Sequence, residues 1–153
     1  GPAPQPLAAI LLDYVRDASH FDDWIPDTVE ARALDGPSAD DRIYYVRSGL
    51  PWPVKDRDMI YRLRASSDPA HPEQIVVSME GMPDLLPQKD GVVRMAAVSG
   101  QWRFFERRGR TEIVLQMHLD PGGALPAALA RRRIVGTPSR MLENLAVRFE
   151  SGC

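Results

Sequence analysis

The chain has 153 residues, a formal net charge of −2, an isoelectric point near 5.9 and one cysteine. That length suits a single domain with a buried core, and the weak negative charge disfavours nucleic acid as a partner. The lone cysteine, Cys153, leaves no internal disulfide, so packing must hold the fold.

The chain opens Gly1-Pro2-Ala3-Pro4-Gln5-Pro6, with no charged segment leading into an apolar one, and Gly1-Pro2 reads as the remnant of a cleaved tag. No run approaches the roughly 18 apolar residues of a membrane span. Of the basic residues only Lys55 and Lys89 are lysine, a bias read as GC-rich, bacterial coding, and the compartment stays open between periplasm and cytoplasm. From Leu7 to Val15 the apolar positions 7, 8, 11, 12 and 15 recur at helical spacing and predict a first helix. His20 to Pro26 reads as a helical turn stopped by proline, with Phe21, Trp24 and Ile25 inward. Thr28 to Leu34 reads as an edge strand.

Between residues 40 and 120 short β-like runs alternate with turn residues, the pattern of an antiparallel meander. Strands are expected at Arg42–Ser48, Met59–Ala65, Gln74–Glu80, Val92–Phe105 with a bend at Gly100, and Thr111–Leu119. In the last, Ile113, Leu115, Met117 and Leu119 share one face, and Glu112, Val114, Gln116 and His118 share the other. Asp120-Pro121-Gly122-Gly123 ends the sheet, and Leu125 to Glu150 reads as a closing helix broken near Gly136-Thr137-Pro138. The fold class is therefore α+β: a curved antiparallel sheet that needs the closing helix to cover its apolar face, with a cavity between them.

Pro51-Trp52-Pro53-Val54-Lys55-Asp56-Arg57-Asp58 is the most distinctive segment. Two prolines keep it out of a central strand, the tryptophan is expected under the sheet, and the four charges alternate in sign and can pair among themselves. With Trp24-Ile25-Pro26, Gly91-Val92-Val93-Arg94 and Asp120-Pro121-Gly122-Gly123-Ala124-Leu125-Pro126, it makes the chain resemble the START lipid-transfer domains, the bacterial type in particular. The resemblance implies a helix-grip fold, with a long C-terminal helix held in the sheet around a lipid-sized tunnel. It also implies a further helix and strands before Leu7, so residues 1–153 read as one START-like domain shortened at its N-terminus. A sheet edge bared in this way could be repaired by strand exchange in a homodimer.

For such a tunnel the apolar wall candidates are Met95, Ile113, Leu115 and Met117 on strands and Leu129, Met141, Leu142 and Leu145 on the closing helix, all equally suited to an ordinary core. The resemblance points to Arg62 and Arg94 as cavity arginines. Alternation along the strand of Met59, Tyr61 and Leu63 instead turns Arg62 outward, and Arg94 could equally be a structural partner of Asp58 or Glu80. Tyr44, Gln116 and His118 are the candidate hydrogen-bonding groups for a lipid hydroxyl. The lid is assigned to the proline-rich loops holding Pro69 and His71 and holding Leu85 and Leu86, the second with transient membrane contact.

The three histidines, at 20, 71 and 118, and one cysteine make no metal set, and no cofactor or nucleophile motif is present. The expected activity is non-enzymatic: binding and transfer of a sterol, phospholipid or fatty acyl ligand. The alternatives are an enzyme of the same superfamily, such as a polyketide aromatase or cyclase, and a ligand-free interaction domain.

Overall fold

The computed structural model describes residues 7–38 and 40–150. The expectations for Gly1–Pro6 and Cys153 lie outside them. Helix α1 spans Leu7–Val15 and buries Ala8, Leu11, Leu12 and Val15, four of the five positions of the stripe its spacing predicts, while Leu7 in the first turn is exposed. A short 3₁₀ turn at Ala18–His20, capped by the Asp17 carboxylate on the Ser19 amide, leads into α2, Phe21–Trp24. Phe21, Trp24 and Ile25 are all buried.

Seven strands follow: β1 Thr28–Ser38, β2 Asp41–Ser48, β3 Asp56–Asp68, β4 His71–Gly81, β5 Val92–Arg94, β6 Ala97–Arg107 and β7 Arg110–Asp120. They form one sheet in the order β1-β2-β3-β4-β6-β7, antiparallel throughout, with β5 pairing parallel to the first residues of β3. Three expectations need correction. The segment read as one strand over 92–105 is two, because Arg94 and Met95 turn the chain from β3 onto β4; the Met95 amide donates to the Asp58 carbonyl at 2.8 Å. Asp56, Arg57 and Asp58 belong to β3 rather than to a separate charged loop. Trp52 is 92% exposed, not under the sheet, and Trp52-Pro53 is a cis peptide.

Alternation gives the sheet an inner and an outer face. Cross-strand pairing lines up Leu63, Met79, Gly100 and Met117 as one row across β3, β4, β6 and β7. A methyl group on Gly100 would lie 2.2 Å from the Gln116 carbonyl oxygen, and one on Gly81, 2.8 Å from that of Val98. Backbone therefore approaches where any side chain would stand, which is how the curled sheet meets glycine.

The C-terminal segment comprises α3 Ala127–Ala130, a π-helical turn at Arg131–Val135 and α4 Thr137–Glu150, so the break falls at Gly136 as the sequence predicts. Met141 and Leu145, one turn apart on α4, are buried against the inner face. Trp24 and Trp102 meet edge to face at 5.7 Å, and Trp102 stacks on Phe104 at 5.8 Å. Among the described residues no helix is long and apolar enough to cross a membrane, and no cluster of His, Cys, Asp and Glu could hold a metal.

Candidate functional site: a methionine-lined cavity under the last helix

Between the inner face of the sheet and the C-terminal helices lies a cavity of about 40 Å³. Its walls come from α1 and α2 (Val15, Trp24), from the inner rows of β3, β4, β6 and β7 (Met59, Tyr61, Leu63, Met79, Trp102, Met117, Leu119), from Met95, and from Ile134 and Met141. Five of the chain's six methionines thus face one space. A thioether on three rotatable bonds fills an irregular gap well and vacates it cheaply. As it stands the cavity has room for a few waters and no acyl chain.

The polar lining gathers at one end: Asp27, Ser48, Arg57, Arg133 and Thr137, beside Pro26 and Leu50. Asp27 sits at φ 63°, unusual for a residue with a side chain, and is held there by ion pairs from Arg133 and, at 3.6 Å, Arg140. These bonds tie the start of β1 to the helices after Pro126. Arg57 is buried without a carboxylate. Its guanidinium donates to the carbonyls of Lys55 (2.6 Å), Pro121 (3.1 Å), Gly122 (2.9 Å) and Ala124 (3.3 Å). Gly122 and Gly123, both at positive φ, let the chain wrap these carbonyls round the cation, and a methyl group on Gly123 would crowd it at 3.2 Å. Burial pushes the Tyr61 phenol far above its usual range, so this wall residue stays neutral.

The residues singled out from sequence distribute as follows. Met117 lines the cavity, as do Met95 and Met141. Gln116 and His118 stand on the exposed outer face of β7, the face their alternation assigns them, and do not reach the cavity. Arg62 also points outward, where Asp41 clamps it through two hydrogen bonds and the pairing holds the Asp41 carboxyl below its usual range. Alternation, and not the resemblance, places this arginine. Arg94 is buried on the outer side of the sheet, its Nε 2.7 Å from Asp58. The Tyr45 hydroxyl also donates to Asp58, at 2.8 Å. The rest of the Arg94 guanidinium donates to the carbonyls of Pro83, Leu86 and Pro87.

Tyr44 is buried in the inner core, but its hydroxyl is spent on the Arg16 carbonyl. Leu129 is outside the lining, and Leu142 borders a shallow apolar groove between α1, β7 and α4 instead. Neither proposed lid loop lines the cavity: Pro69 and His71 lie at the exposed β3–β4 turn, and Leu85 and Leu86 belong to a loop pinned outside by Arg94. Sequence reasoning passed over Arg57, Asp27, Arg133 and Trp24 as site residues. A usable signal for the wall was present, since Met59, Tyr61 and Leu63 alternate on β3 and prefigure it.

A curled antiparallel sheet closed by a C-terminal helix over an apolar cavity defines a helix-grip protein built round an internal compartment. Among solved structures the chain is similar to a STAR-related lipid transfer protein fragment from Xanthomonas axonopodis, at 32% identity and a TM-score of 0.79, covering 90% of this chain and 76% of that one. The chain belongs to the STAR-related lipid transfer, or START, family. Human STARD10 shares the fold at 17% identity and a TM-score of 0.68, over 94% of this chain and 60% of that one. The Zhui aromatase/cyclase from Streptomyces also shares it, at 14% identity and a TM-score of 0.53, over 95% and 90%. An uncharacterised protein of Pseudomonas aeruginosa is 27% identical over 123 residues, 80% of this chain, and the chain spans 59% of that relative's length. No protein-family model matches the sequence.

Proposed function

We propose that the protein binds a single lipid or other apolar amphiphile in the cavity under α4 and shields it from water. The observation that carries this reading is the wall itself: five methionines and two buried tryptophans around one space, with all the charged groups at one end. Burying an acyl chain there gains about 0.8 kcal/mol per methylene. The methionine side chains of the wall, each on three rotatable bonds, can swing aside to enlarge this volume for a guest.

Sequestration rather than chemistry fits the lining. Asp27 is neutralised by Arg133 and Arg140, Arg57 is spent on four carbonyls, and Tyr61 is held neutral. Entry is assigned to the polar end of the cavity. There Leu50 leads into Trp52, Ile134 into the 73% exposed Val135, and the exposed Val29 packs against Gly49. Exposed apolar side chains next to the arginines at 131 and 132 suit contact with an anionic membrane surface.

Native mass spectrometry of the purified protein, followed by organic extraction, tests this reading. A stoichiometric lipid, lost when Met117→Trp fills the cavity, is the expected result. A protein that stays empty after incubation with lipid vesicles defeats it.

A further inference from the structure

The C-terminal segment divides into two parts that are held in different ways. Over α4, Met141 and Leu145 are buried against the sheet, Phe149 meets Tyr14 edge to face at 5.2 Å, and the Asn144 amide donates to the Trp24 carbonyl at 3.0 Å. Over 127–135, a stretch described in full, Ile134 alone is buried. A stretch with so few buried apolar contacts has little local stability of its own. It nevertheless covers the polar end of the cavity, where Arg133 and Ile134 form part of the wall.

Asp27 pins this stretch down. One of its carboxylate oxygens accepts from Arg133 in the π-helical turn, and the other lies 3.6 Å from Arg140 in the first turn of α4. Its carbonyl accepts from the Gly49 amide at 2.8 Å, so the start of the β2–β3 loop is tied to the same residue. Asp27 does this at φ 63°, a conformation that glycine adopts freely and aspartate seldom does. A carboxylate set between two arginines at a backbone position suited to glycine points to a use for the charge.

Resting on the reading of the polar end as the entrance, we propose that Asp27 is a latch: its ion pairs with Arg133 and Arg140 hold residues 127–135 shut over the cavity. Their release lets this stretch and the start of α4 swing outward, with the grip of Asn144 on the Trp24 carbonyl as the hinge. The movement withdraws Ile134 and Arg133 from the wall and opens the methionine-lined space at the end where the charged groups gather. An ion pair suits this use. It is directional when made, and at a partly exposed site it is weak enough to break often.

Hydrogen–deuterium exchange read by peptide mass spectrometry tests the latch without any lipid. Asp27→Gly removes the carboxylate at a backbone angle that glycine favours. It is expected to speed exchange of the hydrogen-bonded amides over 127–135 about fivefold, the effect of losing a partly exposed ion pair. The amides of 144–148 and of β3 and β4 are expected to keep their wild-type rates, which also certifies the fold. Arg133→Gln combined with Arg140→Gln leaves the positive φ untouched and should reproduce the effect. High salt should speed exchange of the wild-type stretch and leave Asp27→Gly as it is, a response that relief of backbone strain alone would not give. In the same proteins, uptake of the fluorescent fatty acid cis-parinaric acid from phosphatidylcholine vesicles should quicken by a similar factor. Unchanged exchange over 127–135 in both variants overturns the latch and leaves the lipid-binding reading standing. Absence of parinaric acid uptake by the wild type and the variants alike overturns the lipid-binding reading, while the exchange rates still decide the latch.

Discussion

Arg57 and Arg94 are both buried guanidiniums, and they are satisfied by different means. Arg57 rests on backbone carbonyls alone, whereas Arg94 shares Asp58 with the Tyr45 hydroxyl. Removing one member of a buried ion pair strands the other, so Arg94→Met is expected to cost about 3–5 kcal/mol in urea unfolding. Arg94→Met with Asp58→Leu is expected to cost less than the two single changes together. A loss below about 1 kcal/mol for the single variant would show that Asp58 does not depend on this arginine. The same pair explains why residue roles were hard to read in advance. Asp58 and Glu80 suit Arg94 equally by sequence, and only the parallel register of β5 on β3 puts Asp58 beside it. Arg57, between two aspartates in sequence, looks like a surface charge until the glycine turn at Gly122 folds over it.

At the scale of elements most of the order was legible, because it rests on local periodicity. The α1 stripe, the alternation of β7 and the interruption at Gly136 each follow from spacing that neighbouring residues fix. The split between β5 and β6 was not legible. Val92–Phe105 reads as one strand with its bend at Gly100, whereas the change of partner falls at Met95 and depends on where β3 and β4 end. Trp52 escaped for a related reason: a large aromatic between prolines argues for burial, but in the folded loop its side chain is left in solvent. Gly100 is where close strand approach can be tested directly. Gly100→Ala would press a methyl group on the Gln116 carbonyl, and the expected loss is roughly 1–3 kcal/mol, read from the urea midpoint. An unchanged midpoint would mean that β6 and β7 separate easily there.

For the whole molecule, the sheet, α2 and α4 meet around a space that is nearly closed, and their shared wall is built from the most adaptable side chain available. Fold class was legible from the sequence because a one-sided apolar sheet requires a cover. The cavity's lining was only partly so, since inner-row residues from four strands come together through register that no single segment reveals.

The sulfur atoms of that wall carry a chemical liability as well. Peroxide converts a thioether to a polar sulfoxide, which would wet the chamber and weaken its hold on grease. While the protein stays shut, Met59, Met79, Met95 and Met141 are shielded, whereas Met82 lies outside the lining and is partly exposed. Under dilute hydrogen peroxide Met82 is therefore expected to oxidise first. The four shielded sulfurs should follow together at a pace that tracks the gaping of α4, which peptide mass spectrometry can time; oxidation of all five at one rate would mean the chamber is never shut. The same residues that let the interior yield to a guest thus become a clock for how often it opens.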